Sequence, residues 1–254
     1  MSVQLPAALL GLILGSFLNV LIHRLPRDQS PWFGRSRCPH CRRPVRWFEN
    51  VPLLSFLALR GRCAGCRGRI AWRYPLVELA TAALALACLE RFGPTAMGTI
   101  YFLFLATLLA IAWIDWEHMI IPDELSLGAL SLGILLAATV LPLGLVGALL
   151  GVVAGAGFIW LVAAAYKAMR GAEGMGFGDV KLAGMIGAFL GPIHVLFIIF
   201  LASVLGSIYG VWVVARGGTR KSMVAFGTFL AASAALSLFF GESLAFWYAS
   251  LLRR

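Results

Sequence analysis

Charge is what this sequence has least of. Only 13% of its 254 residues are Asp, Glu, Lys or Arg, about half the share of an ordinary soluble domain. With 61% apolar residues beside so few charges, the chain is not disordered, and the balance weighs against a water-soluble globule. Cysteine is scarce too. Five in 254 residues do not make a small disulfide scaffold. Glycine and proline follow no three-residue period, which excludes a collagen-like fibre. An integral membrane protein remains.

The few charges are unevenly placed. Residues 24–73 hold twelve arginines, no lysine and two acids, Asp28 and Glu49, so this segment carries the whole net charge of +10. A basic segment of this size can bind RNA. Between apolar runs, the positive-inside rule accounts for it more simply, with no nucleic acid involved, and places it against anionic headgroups on the cytoplasmic side.

The apolar runs fall at 5–22, 74–90, 97–114, 125–141, 144–166, 182–215 and 222–241. Residues 5–22 lack a basic leader and a cleavage site, so a retained first transmembrane helix is expected over 1–23. Residues 182–215 exceed one span and divide at Gly191-Pro192. The expectation is an all-α, polytopic membrane protein of about eight transmembrane helices, the sixth short, with both termini outside. Lys167, Arg170, Arg216, Arg220 and Lys221 flank the inside ends. Arg253 and Arg254 run against the rule, and 242–252 either cross or lie in the interface.

Four of the five cysteines stand in the insert 24–73, as Cys38-Pro39-His40-Cys41 and Cys63-Ala64-Gly65-Cys66. Two such knuckles aim four thiolates at one tetrahedral centre, the pattern of a structural zinc site. Two disulfides are the alternative, disfavoured at a reducing cytoplasmic face. His40 is either a ligand or a neighbour of the site. Cys88, in an apolar run, reads as a small hydrophobe.

Acids within apolar runs demand a reason. Asp115 ends the third run and Asp179 opens the sixth, both at the expected cytoplasmic level. Two carboxylates in one low-dielectric pocket do not both ionise, so one takes a proton from water while the other donates one: metal-free proteolytic chemistry. A helix cap or a proton relay would use the same residues. Asp123 and Glu124 read as ordinary first-turn helix residues. Glu117 and Glu173 are expected in inside loops, either solvated or attracting a basic substrate segment.

These residues resemble type IV prepilin peptidases. Gly176-Phe177-Gly178-Asp179, followed by Val180-Lys181, is similar to the GxGD motif of intramembrane aspartyl proteases, with Asp115-x6-Pro122-Asp123 upstream. Gly15-Ser16-Phe17-Leu18-Asn19, the four-cysteine insert with Glu49-Asn50-Val51-Pro52, and Arg73-Tyr74-Pro75-Leu76-Val77-Glu78 continue the resemblance in the family's order. It implies an enzyme of the bacterial inner membrane whose protease core is 74–254. Such enzymes cut the short basic leader from type IV prepilins and type II secretion pseudopilins on the cytoplasmic side. Many then methylate the new amine with S-adenosylmethionine. The resemblance puts the catalytic pair on Asp115 and Asp179, with Gly176, Gly178 and Lys181 in support, and zinc on Cys38, Cys41, Cys63 and Cys66. Glu49, Asn50 and Glu78 either contact the methyl donor or satisfy loop hydrogen bonds. One departure stands out: Ala225-Phe226-Gly227-Thr228 stands where many members of the resembled family carry proline-phenylalanine-glycine-proline. It is expected to alter local helix geometry more than chemistry.

Overall fold

The structure, a computed structural model, describes residues 3–171, 175–217 and 225–252, with side chains up to residue 241. Glu173, Arg220, Lys221, Arg253 and Arg254 lie outside the described residues, as do the side chains of 242–252. Among the described residues the chain is helical, with no named strand and two isolated β-bridges. It forms two compact units, Met1–Ala110 and Ile111–Arg254.

The first unit contains α1 (Gln4–Arg24), α2 (Leu54–Ala58), α3 (Arg73–Phe92) and most of α4 (Ala96–His118). Helices α1 and α3 touch backbone to backbone. A Cβ on Gly11 would sit 2.6 Å from Ala82 Cα, and one on Gly15 would sit 2.7 Å from Glu78 Cα. Between α1 and α3 runs the basic insert. Arg24, at the end of α1, gathers its first loop by donating to the carbonyls of Phe33 at 2.7 Å and Gly34 at 2.8 Å.

The second unit holds the end of α4 with α5 (Asp123–Ala137), α6 (Gly144–Arg170), α7 (Phe177–Ala215) and α8 (Phe226–Leu252). The tightest seam joins α6 to α7. A Cβ on Gly187 would lie 2.1 Å from the Gly151 carbonyl oxygen, and one on Gly151 would lie 2.0 Å from that of Gly187. In a lipid solvent, helix association depends on such close packing because burial against another helix removes no apolar surface from water. Gly151 and Gly155 repeat the small-residue spacing that presents one smooth face.

The outer faces are apolar. On α6, Val146 and Val153 are 71% and 69% exposed, with Leu149 and Leu150 between them. A stripe of that length is tolerable in contact with lipid and not with water. Four helices are long and apolar enough to cross a membrane: Gln4–Arg27, Ala96–His118, Gly144–Arg170 and Phe177–Ala215. The other expected runs are helical as α3, α5 and α8 but shorter or less apolar over the described residues.

Helix α7 breaks where expected. Gly191 has φ 82° and ψ 176°, outside helical geometry, and Pro192 follows. Only glycine adopts that backbone without strain. One limit differs from expectation: helix α6 continues to Arg170. Helix α7 begins at Phe177, with Asp179 in its first turn as expected. Polar residues enter these helices because a helix satisfies its own backbone, and this outweighs side-chain polarity near a membrane surface. Glu117 likewise belongs to the last turn of α4, where it accepts from Trp113 Nε1 at 2.9 Å.

The α6–α7 seam yields a direct test. Gly187→Val drives a side chain into the Gly151 carbonyl and is expected to abolish recovery of folded protein in detergent, while Gly157→Ala, which meets nothing within 4 Å, leaves the thermal midpoint unchanged or slightly raised.

Candidate active site and metal-binding cluster

Asp115 and Asp179 belong to the same unit. Asp115 lies in the final turn of α4 and is 5% exposed. Its own helix disfavours it there, since the carboxyl end of a helix carries partial negative charge. The compensation comes from α8. The backbone N–H of Thr228 donates to Asp115 Oδ2 at 2.8 Å, and Thr228 Oγ1 lies 3.3 Å from the same oxygen. Thr228 is the third residue of α8, whose first N–H groups have no partner in their own helix. Asp115 therefore caps α8 from another helix.

Asp179 occupies the first turn of α7, after Gly176 as N-cap. It is within electrostatic reach of Asp115. Ile121 ties the neighbourhood together. A Cβ on Gly178 would lie 3.0 Å from Ile121 Cβ, and one on Gly227 would lie 2.8 Å from Ile121 Cδ1 and 3.0 Å from Asp115 Oδ2. Gly178 and Gly227 are thus the two surfaces on which Ile121 sits, and a side chain at either would have to push Ile121 aside. The six-residue spacer after Asp115 serves to deliver this wedge. Met119, with φ 57°, turns the chain out of α4 and donates its N–H to the Asp115 carbonyl at 2.8 Å. Pro122 then N-caps α5.

Lys181 does not enter the acid pair. Its Nζ meets Asp123 Oδ1 at 2.5 Å and lies over the Phe177 ring. With Asp123 56% exposed, this pair contributes less than about 1 kcal/mol and chiefly sets the start of α7 against the start of α5. Further out, Tyr209 of α7 packs against Trp116 and Phe229 at ring separations of 5.5 and 5.7 Å, joining the ends of α4, α7 and α8. A largely apolar cavity of about 320 Å³ adjoins, lined among others by Met175, Phe226, Ile199 and Ser203. Met175 and Phe226 are chain neighbours of Gly176 and Gly227.

In the first unit the four insert cysteines converge. The sulfurs of Cys38, Cys41, Cys63 and Cys66 lie within 4.8 Å of one another, and none is in a disulfide. The two knuckles are copies offset by 25 positions. Cys38 N–H donates to the Arg43 carbonyl and Arg42 N–H to the Cys38 carbonyl; Cys63 with Gly68, and Arg67 with Cys63, repeat both bonds. Arg42 and Arg67 share a φ near +60°, at 58° and 59°. His40 is outside the cluster and packs over Gly68, whose Cβ would lie 2.8 Å from its ring.

The sulfurs are electrostatically unequal. Backbone N–H groups of Cys66 and Gly65 pull the Cys63 thiol down to about 6. Cys66 is pushed up to about 11: the Gly68 N–H favours its thiolate, but burial and the three neighbouring sulfurs prevail. Four sulfurs so close cannot all be thiolates without a cation among them. The Cys38–Cys66 separation of 3.8 Å equals the edge of a tetrahedron with metal–sulfur bonds of about 2.3 Å.

Two family profiles match this chain: the Bacterial Peptidase A24 N-terminal domain over residues 9–92, and the Type IV leader peptidase family over residues 102–211. Similar proteins named prepilin leader peptidase/N-methyltransferase occur in Burkholderia pseudomallei, at 40% identity over 92% of this chain and 84% of the relative. Another, in Aeromonas hydrophila, is 38% identical over 94% and 91%. A third, in Pseudomonas aeruginosa, is 37% identical over 93% and 90%. The chain belongs to the type IV leader peptidase family. No solved structure matches it significantly.

The segment Ala225-Phe226-Gly227-Thr228 meets the end of α4, where Thr228 holds Asp115. The sequence marked the segment but not its partner, which lies 113 positions away. Of the polar insert residues, Glu49 accepts from Arg43 at 2.5 and 2.7 Å and from the Arg46 N–H at 3.0 Å. The Arg46 N–H, then the Arg43 guanidinium, hold its carboxyl below the usual range. Asn50 is exposed at the end of the same turn. Glu78, buried in α3, accepts from the Leu53 N–H at 2.9 Å and from Ser16.

Elemental analysis of purified protein tests the cluster. Cys66→Ser is expected to lower bound metal from one per chain to near zero, while Cys88→Ser, buried in α3 away from the cluster, leaves it at one.

Proposed function

We propose that this chain is a membrane aspartyl endopeptidase that removes the basic leader of type IV prepilins and type II secretion pseudopilins and then methylates the new N-terminus. Asp115 and Asp179 are its catalytic pair. The observation that carries this reading is two acids at helix ends in one unit, within electrostatic reach, around a shared Ile121 wedge. The printed activity of the relatives agrees with it.

The pair works with one proton between them. One carboxylate takes a proton from water as the water oxygen bonds to the scissile carbonyl carbon; the protonated partner donates to the carbonyl oxygen. As the tetrahedral intermediate collapses, the C–N bond breaks, the amine leaves with the proton taken from water, and the other carboxyl recovers its own. The cavity beside Gly176 and Gly227 suits apolar substrate side chains that follow the leader.

The topology that fits is eight spans in the bacterial inner membrane, α7 counting as two, with insert and acids on the cytoplasmic side. Exposed Trp32, Phe33, Trp47 and Trp72 stand among the insert arginines, the composition of a surface resting on lipid headgroups. Zinc is the ion assigned to the four cysteines. It closes the insert and takes no part in cleavage. S-adenosylmethionine would supply the methyl group. Glu49 is held by Arg43 and Arg46 and Glu78 by Leu53 and Ser16, so of the three polar candidates Glu78 is the buried acid beside α1, where Asn19 has a buried Oδ1 with no hydrogen-bond partner among the described residues, and Asn50 is the exposed one.

The decisive experiment is cleavage of a prepilin peptide carrying its apolar helix. Asp115→Asn and Asp179→Asn are each expected to lower kcat by about 10³-fold with metal content unchanged; wild-type turnover in either sinks the reading. The mass of the mature N-terminus, heavier by one methyl group in wild type and not in Glu78→Gln, tests the second activity.

A further inference from the structure

Asp115 is held unevenly. Both donors of Thr228 address Oδ2, at 2.8 Å from N and 3.3 Å from Oγ1. Thr228 Oγ1 also lies 3.0 Å from the carbonyl of Ala112, one turn earlier on α4. A hydroxyl has one hydrogen, so it serves one of these acceptors at a time. Gly227 shows how near the start of α8 comes: a Cβ there would lie 3.0 Å from Oδ2.

We infer that Thr228 is a positioning residue for proteolysis, fixing Asp115 Oδ2 as the spectator oxygen so that proton and water exchange at Oδ1. This rests on the reading of Asp115 as one of the catalytic pair. The backbone N–H supplies the constant restraint. The hydroxyl supplies the variable one: it turns to Oδ2 when Asp115 is charged, where the bond is charge-assisted, and to Ala112 when Asp115 carries the proton. Only a hydrogen moves, so the carboxyl changes charge without changing place, as precise general acid–base geometry requires. A proline at this position would have neither N–H nor hydroxyl to offer Asp115.

The test uses the full chain in nanodiscs with the prepilin peptide, comparing wild type, Thr228→Ser, Thr228→Val and Asp115→Asn. Valine keeps the N–H and the volume and loses the hydroxyl; serine keeps both donors. Thr228→Val is expected to lower kcat about tenfold with KM within about twofold, and Thr228→Ser to retain wild-type kcat within about twofold. Thermal midpoints near wild type for both variants establish that they are folded. The inference is overturned if Thr228→Val keeps wild-type kcat while Asp115→Asn is inactive, if the change is in KM alone, or if serine fails as far as valine. An active Asp115→Asn overturns the catalytic pair itself, and this role with it.

Discussion

A buried carboxyl at the carboxyl end of an apolar helix needs a positive counterpart from elsewhere in the fold, and most of the second unit is arranged around that need. α4 offers Asp115 nothing but its own negative end. The free N–H groups opening α8 are the nearest match, and they reach Asp115 only because Gly227 lets the two backbones close in. Once α8 is fixed in this way, Ile121 has a floor at Gly227 and a wall at Gly178, and Asp179 follows one residue later. Lys181 and Asp123 then align the starts of α7 and α5. Each contact is weak or local, yet together they fix the end of α4 and the start of α7, which carry the two acids, around Ile121.

The insert solves a different problem by the same economy. It has little apolar interior, since Trp32, Phe33, Trp47 and Trp72 are exposed and Phe56 is only half-covered. Order comes instead from two duplicated knuckles whose backbone bonds mirror one another, and from Glu49, which joins Arg43 of the first knuckle to the turn at Arg46. The excess of arginine around the sulfurs favours thiolate and hence metal.

Much of this was legible in the residues. CxxC spacing is local chemistry, and the four cysteines do converge. Gly191-Pro192 marked the break in α7 because the two residue types have one backbone meaning. Apolar runs located the helices but not every end: α6 runs on to Arg170 because the helix's own hydrogen bonds, not hydropathy, decide where it stops. Gly178 was legible only as part of the GxGD motif; that Ile121 packs on it depends on a tertiary contact. Thr228 was the least legible. Its significance lies in a partner 113 positions away, and no periodicity or spacing encodes that distance.

The break at Gly191 carries a consequence for depth. The first arm of α7, residues 177–190, is about 21 Å long at 1.5 Å per residue, well short of a hydrocarbon layer of about 30 Å. An arm that short cannot have both ends at a bilayer surface. Either the hinge stops inside the bilayer or Asp179 lies below the headgroup plane, and a carboxyl so placed stands away from bulk solvent without lying at the bilayer centre, where only a proton or a polar neighbour makes it tolerable.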